Sequence, residues 1–113
     1  MKVCTGIVQK GKERGRELGY PTLNIPLHDE SVTGIYAARV ILKDEAAYAA
    51  AVFADPQRHV LEAHVLDFAD DLYGLNVSVE LHKKIREMRV FANDADLRSA
   101  IAADVQAVRE YFQ

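Results

Sequence analysis

Leu75-Asn76-Val77-Ser78-Val79-Glu80-Leu81-His82 is the stretch that decides the fold. Leu75, Val77, Val79 and Leu81 alternate with Asn76, Ser78, Glu80 and His82. That period of two is the mark of a strand with one face in a core and one in water. Toward the N-terminus, Ala69 to Gly74 is a polar turn, and Val60 to Phe68 before it is extended and rich in apolar residues, so the two segments are expected to form a hairpin. Gly34 to Leu42 is also extended, with Tyr36, Ala38, Val40 and Leu42 on one face and Arg39 on the other, and Val3 to Val8 forms a first short strand. Between these lies a Gly- and Arg-rich loop from Lys10 to Gly19, followed by a segment in which Pro21 and Pro26 exclude a helix interior. Toward the C-terminus the period changes. Leu97, Ile101, Val105, Val108 and Phe112 recur every three or four residues, which places them on one face of a helix. Asn93 or Asp94 can cap it, and Asp96 suits the positive end of its dipole. Strands first and one helix last predict a mainly β fold, a barrel or curled antiparallel sheet closed by a C-terminal α-helix.

The bulk properties narrow the function classes. At 113 residues the chain is read as a single domain, 1–113, with one modest core. A formal net charge of -3 and no basic face argue against nucleic acid as a partner. Cys4 has no second cysteine to pair with, which fits a reducing compartment. No signal-peptide pattern or membrane-length apolar run is present, so a cytoplasmic protein without a membrane partner is expected.

Three segments have the residue types for chemistry, each with a plainer reading beside it. In the first, glycines such as Gly11 let backbone N–H groups approach phosphate oxygens, and Arg16 or Lys12 can balance the charge. Thr22 and Asn24 follow, two apart in an extended segment, and so project to one side with oxygen ligands of the hard kind that Mg²⁺ prefers. Both are neutral, so substrate phosphates must complete the shell. The plainer reading is a surface loop before a proline turn. In the second segment, Glu62 shares a strand face with His64, opposite Leu61, Ala63 and Val65, and can accept a proton from a hydroxyl. The alternative is a solvent-facing strand glutamate, and His64 reads as a partly buried polar residue. His28, His59, His64, His82 and Cys4 show no zinc spacing. The third segment runs from Lys83 to Phe91. Arg86 or Arg89 can bind a phosphate or stack on a planar ring, and Phe91 can pack against one. Otherwise it is a charged strand end with Phe91 as a core anchor.

The order and spelling of these segments resemble the riboflavin kinase family. Gly6-x-Val8-x-Lys10-Gly11 and Gly15-Arg16-x-Leu18-Gly19-Tyr20-Pro21-Thr22-Leu23-Asn24 are similar to its opening, where Pro21-Thr22-Leu23-Asn24 stands for its Pro-Thr-Ala-Asn. Gly34-Ile35-Tyr36-Ala37 resembles its Gly-Val-Tyr-Ala. Glu62-Ala63-His64-Val65-Leu66-Asp67-Phe68, with Asp71-Leu72-Tyr73-Gly74 after it, resembles its Glu-x-His block, and Lys84-Ile85-Arg86 through Phe91 its Lys-Leu-Arg block, while Asp104 lies in its helix pattern. The resemblance implies a small six-stranded antiparallel Greek-key β-barrel that transfers the γ-phosphoryl group of Mg-ATP to the 5′-hydroxyl of riboflavin, giving FMN. It implies Glu62 as the catalytic base, Thr22 and Asn24 as ligands of Mg²⁺ and phosphate, and Gly11 and Arg16 in the phosphate loop. Val65, Asp67 and Tyr73 are implied to border the nucleotide, and Arg86, Arg89 and Phe91 to face the flavin.

Two departures from the family pattern stand out. Between Tyr48 and Glu62 the family carries an Asn-Ile-Gly-x-x-Pro-Thr-Phe loop, whereas this chain has Ala50 to Val60, shorter and without Gly or Thr, so Phe53 to His59 reads as an altered loop. Leu23 is also bulkier than the usual Ala. The altered loop motivates a second reading, a catalytically weak or inactive flavin- or nucleotide-binding module, and a third is a barrel kept only for protein interaction. Bacterial members of the family often carry an FMN adenylyltransferase module N-terminal to this domain, and either a stand-alone kinase or a domain of a longer chain is expected here.

Overall fold

The computed structural model describes residues 1–9, 19, 22–68 and 70–113. These form strands β1 (Lys2–Ile7), β2 (Leu23–Pro26), β3 (Gly34–Ile41), β4 (Ala47–Asp55), β5 (Val60–Val65) and β6 (Asn76–Arg86), then helix α1 (Asp94–Tyr111). All pairings are antiparallel, in the order β1-β6-β3-β4-β5-β2. Strands β3, β4 and β5 form a meander and β6 returns beside β3, which is a Greek key. The two ends of the sheet meet where Gln9 and Asn24 exchange backbone hydrogen bonds of 2.7 and 3.3 Å, leaving a nearly closed barrel. Gly6 belongs to this seam: a Cβ on it would lie 3.1 Å from Cδ of Pro26 and 3.3 Å from Cβ of Ile25. Two register shifts between β3 and β6, at Ile35/Tyr36 and Ala37/Ala38, add the local bend that closure requires.

The alternation of Val77, Val79 and Leu81 turns these side chains into the barrel, where they pack with Val40, Val52, Leu61, Ala63 and Ile25. Burial of each large aliphatic side chain contributes roughly 1.5–3 kcal/mol. Strand β6 runs five residues past Leu81, to Arg86. The expected hairpin between the segments at 60–68 and 75–81 does not form. Strand β5 pairs with β4 and β2, and β6 with β1 and β3, so residues 66–68 and 70–75 belong to a crossing at the end of the barrel. Gly74, at φ +83°, donates to the carbonyl of Val8, and Val8 donates to that of Leu75, fixing this crossing beside the seam.

Strand β4 replaces the altered loop expected over Phe53 to His59. Phe53, Ala54 and Asp55 end a nine-residue central strand, and the turn is confined to residues 56–59. Asp55 accepts from the backbone N–H of Arg58, and His59 adopts φ +56°. The alternation of β4 is hidden because both of its faces are covered. Ala50, Val52 and Ala54 face the barrel core, whereas Ala51, with Ala37 of β3, packs under α1 against Val108 and Val105. Small side chains there let the helix approach the sheet. Helix α1 is capped by Asn93, whose side chain accepts from the N–H of Asp96, and it buries Ile101, Asp104 and Val108. Among the described residues, no helix is long and apolar enough to cross a membrane.

Gly34 begins β3 at φ +107°, and a Cβ there would lie 2.7 Å from both the Arg86 carbonyl oxygen and the Lys84 Cε. Gly34→Ala is therefore expected to destabilise the fold by about 1–3 kcal/mol through backbone strain alone, with the contact against Arg86 adding to it. A fall in the denaturant midpoint at constant m would show this. An unchanged midpoint would mean that β3 and β6 separate there at little cost.

Candidate active site

One cross-strand row organises the outer face of the barrel. Arg86 pairs with Ile35, Ile35 with Phe53, Phe53 with Glu62, Glu62 with Asn24, and Asn24 with Gln9. Directly paired residues point their side chains to the same side of a sheet, so the row sets out these groups in a fixed order. Neighbouring strands are about 4.8 Å apart, so the Asn24 and Arg86 backbones stand roughly 19 Å apart along the sheet. Glu62 is one strand away from Asn24.

At the Asn24 end, three oxygen-bearing side chains gather. The Thr22 hydroxyl donates to Oε2 of Glu62 at 3.4 Å. Asn24 is only 6% exposed, and its Oδ1 has no hydrogen-bond partner among the described residues. An orphaned buried carbonyl oxygen costs about 1–3 kcal/mol unless something completes it. A hard cation is such a completion, and the neighbouring hydroxyl and carboxylate are oxygen donors as well. The donor set therefore fits Mg²⁺. Among the described residues there is no group of three or more His, Cys, Asp or Glu side chains suited to a metal.

Thr22 also lines a cleft of about 450 Å³ at the mouth of the barrel. Its floor is made by Val8, Leu23, Ala63 and Val65, the inward-facing residues at the seam, and its rim by Phe68, Leu72 and Tyr73 with Asp70 and Asp71. Asp71 accepts from the N–H of Tyr73 at 2.8 Å, which shapes the rim. Val65 and Tyr73 thus lie together in the cleft, next to Thr22. Leu23, bulkier than the family's Ala, packs into this floor with 8% exposure. Asp67 lies elsewhere. It adopts φ +56° and holds Arg109 of α1 through two hydrogen bonds of 2.9 and 3.0 Å. The guanidinium keeps the Asp67 carboxyl below the usual carboxylate range. Gly11 and Arg16 lie outside the described residues.

At the other end of the row, the Arg86 guanidinium lies 5.7 Å from the centre of the Phe91 ring, and that of Arg89 lies 5.0 Å from it. Arg86, Arg89 and Phe91 therefore form one group. Arg86 is fixed by Asp104 of α1, through Nε to Oδ1 at 2.9 Å and Nη2 to Oδ2 at 2.8 Å. Arg89 and Phe91 border a shallow hollow against the first turns of α1, at Asp96, Ser99 and Ala100.

The sequence reading names two further residues of this layout, Phe53 and Asp104, without giving either a place in the site. Phe53 stands beside Glu62 in the row but sits in an Ala-rich segment without visible alternation. Asp104 left a usable signal, a carboxylate three residues after Ile101 and four before Val108 on the apolar stripe of the helix.

The fold is a Greek-key barrel whose outer face carries oxygen donors at one end and an arginine–phenylalanine group at the other. A family model described as flavokinase, riboflavin kinase, matches residues 2–112, and the chain belongs to the riboflavin kinase family. It is 40% identical over 116 residues to the bifunctional riboflavin kinase/FMN adenylyltransferase of Escherichia coli K12, a match covering 96% of this chain and 37% of that one. The enzyme of the same description from Bacillus subtilis is 30% identical over 118 residues, covering 95% and 37%. The chain thus spans little more than a third of the length of these curated relatives. Among solved structures, a macrolide-efflux protein from Streptococcus pneumoniae superposes with a TM-score of 0.81 at 29% identity, covering 95% of this chain and 38% of that one. The riboflavin kinase of Trypanosoma brucei superposes with a TM-score of 0.70, covering 98% and 79%; at 23% identity it speaks for the fold alone.

Proposed function

We propose that this domain is an ATP:riboflavin 5′-phosphotransferase, which makes FMN from riboflavin and the γ-phosphoryl group of Mg-ATP. The observation that carries the reading is the position of Thr22, which lines the cleft and hydrogen-bonds Glu62, itself the strand neighbour of the orphaned Asn24 oxygen. The cleft takes the nucleotide, with Val65 and Tyr73 against it and the apolar floor accepting its base. Thr22 and Asn24 hold Mg²⁺, which when bound neutralises the charge of the phosphates. Gly11 and Arg16 belong to the same phosphate side by family resemblance. Asp67 does not line the cleft, and it enters the reading as an anchor that ties the segment after β5 to Arg109 of α1.

Arg86, Arg89 and Phe91 bind the planar ring by stacking and charge. A ring held there can extend its ribityl chain along the row toward Glu62. The Glu62 carboxylate accepts the proton of the 5′-hydroxyl as its oxygen bonds to the γ-phosphorus and the bond from that phosphorus to the bridging oxygen breaks, leaving ADP. Such a reaction asks the protein for in-line positioning and charge balance more than for covalent participation. The domain acts in the cytoplasm under this reading, with an adenylyltransferase module in the same chain if the protein is built like its curated relatives.

Incubation of the protein with riboflavin, ATP and Mg²⁺, followed by chromatographic separation of FMN from riboflavin, tests the proposal. Formation of FMN that stops on chelation of Mg²⁺ is the expected result. Tight flavin binding without FMN, under conditions in which a known riboflavin kinase turns over, would replace it with the binding-module reading.

A further inference from the structure

Asp104 is the most deeply buried ionisable side chain among the described residues, at 3% exposure, and it sits on the apolar face of α1 between Ile101 and Val108. A carboxylate in that position is costly unless it is fully paired. It is paired with one group, the Arg86 guanidinium, in a two-point fork. The third nitrogen of Arg86, Nη1, donates to the carbonyl of Glu87 at 3.0 Å. These three bonds fix the plane of the guanidinium, and of its five N–H groups they leave two unused. The contact also crosses between elements, since Arg86 ends β6 and Asp104 lies in the middle of α1. The segment between them carries Arg89 and Phe91, so the fork closes a loop whose tip is the ring-binding group.

We infer that Asp104 is a positioning residue for flavin recognition: it orients Arg86, and through it the loop bearing Phe91, toward the planar ring of the acceptor. The inference rests on the proposed riboflavin kinase function and deepens it. Asp104 itself does not touch the substrate. It sets the direction of the two N–H groups left to Arg86, and it holds the guanidinium within reach of the Phe91 ring, so that cation and ring present one surface. A lysine at 86 could keep the charge pair but not the plane, because an ammonium is a point charge without a fork.

The test measures the KM for riboflavin and for ATP separately in the wild type, Asp104→Asn, Asp104→Glu and Arg86→Lys. Riboflavin affinity is also measured without nucleotide, by quenching of flavin fluorescence, and the thermal midpoint of each protein is recorded. Asp104→Asn and Arg86→Lys are expected to raise the KM and Kd for riboflavin about tenfold or more, with the KM for ATP changing less than about twofold. Asp104→Glu, which keeps the charge and the fork, is expected to recover part of the loss. A purely structural role would lower the thermal midpoint and the active fraction and leave both KM values in place, and that result would overturn the inference alone. A folded wild type that neither binds nor phosphorylates riboflavin would overturn the inference together with the proposed function.

Discussion

Glu62→Gln is expected to lower the rate of FMN formation by about 10²–10⁴-fold, the range that a positioned proton acceptor contributes, with the thermal midpoint nearly unchanged. The substitution keeps the shape of the side chain and an oxygen able to accept from the Thr22 hydroxyl, so the packing of the row is retained. What it removes is the capacity to take a proton. Glu62 is half-buried on the outer face of β5, with its neighbours Leu61 and Ala63 fully buried on the other. That alternation holds its backbone in place whether or not the side chain is charged. Chromatographic rates at saturating riboflavin and ATP give the measurement. A rate within a few-fold of the wild type would remove Glu62 from the proton transfer and leave phosphate positioning as the main catalytic effect.

Asn24→Leu is expected to separate activity from stability. The Asn24 Oδ1 is buried without a partner among the described residues, so an apolar side chain of similar volume relieves a desolvation cost of about 1–3 kcal/mol. The denaturant midpoint of the ligand-free protein should stay level or rise. FMN formation should fall below detection at Mg²⁺ concentrations that saturate the wild type, because the neutral donor set then loses one of its two members. Such an opposition between stability and activity is common where a site retains an unfavourable polar group for its ligand. A variant that is strongly destabilised and still active would show instead that the Asn24 amide serves the seam and that the metal is held elsewhere.

The sequence was legible wherever a single face of an element is wet. Strand β6 and helix α1 could be read directly, since Val77, Val79 and Leu81 face the core and Asn76, Ser78 and Glu80 do not, and since Ile101, Val105 and Val108 follow helical spacing. Strand β4 was not legible. Its residues are covered from both sides, by the core and by α1, and its alanines have neither strong strand propensity nor visible alternation. The hairpin expected after β5 failed for a different reason: a polar turn such as Asp70 to Gly74 marks a change of direction but not the strand on which the chain lands. For the candidate site, residue types and family spelling pointed to Thr22, Asn24, Glu62, Arg86, Arg89 and Phe91 as candidates. Their arrangement depended on the pairings through β4, and with it went the place of Phe53 beside Glu62 and the outward turn of Asp67 to Arg109.

The row from Gln9 to Arg86 also ties function to folding in the arithmetic of the strand. Sliding β2 by one residue along β5 would exchange Leu23 and Asn24 between the inner and outer faces, turning an aliphatic side chain out of the core and an amide into it. The same error that scrambles the oxygen donors therefore disrupts the hydrophobic interior. Selection for a foldable barrel thereby guards the spacing of the site, and drift on the outer face can alter what the groups are without altering where they stand. A scaffold of this kind lends itself to divergence in ligand preference, because new side chains inherit fixed addresses.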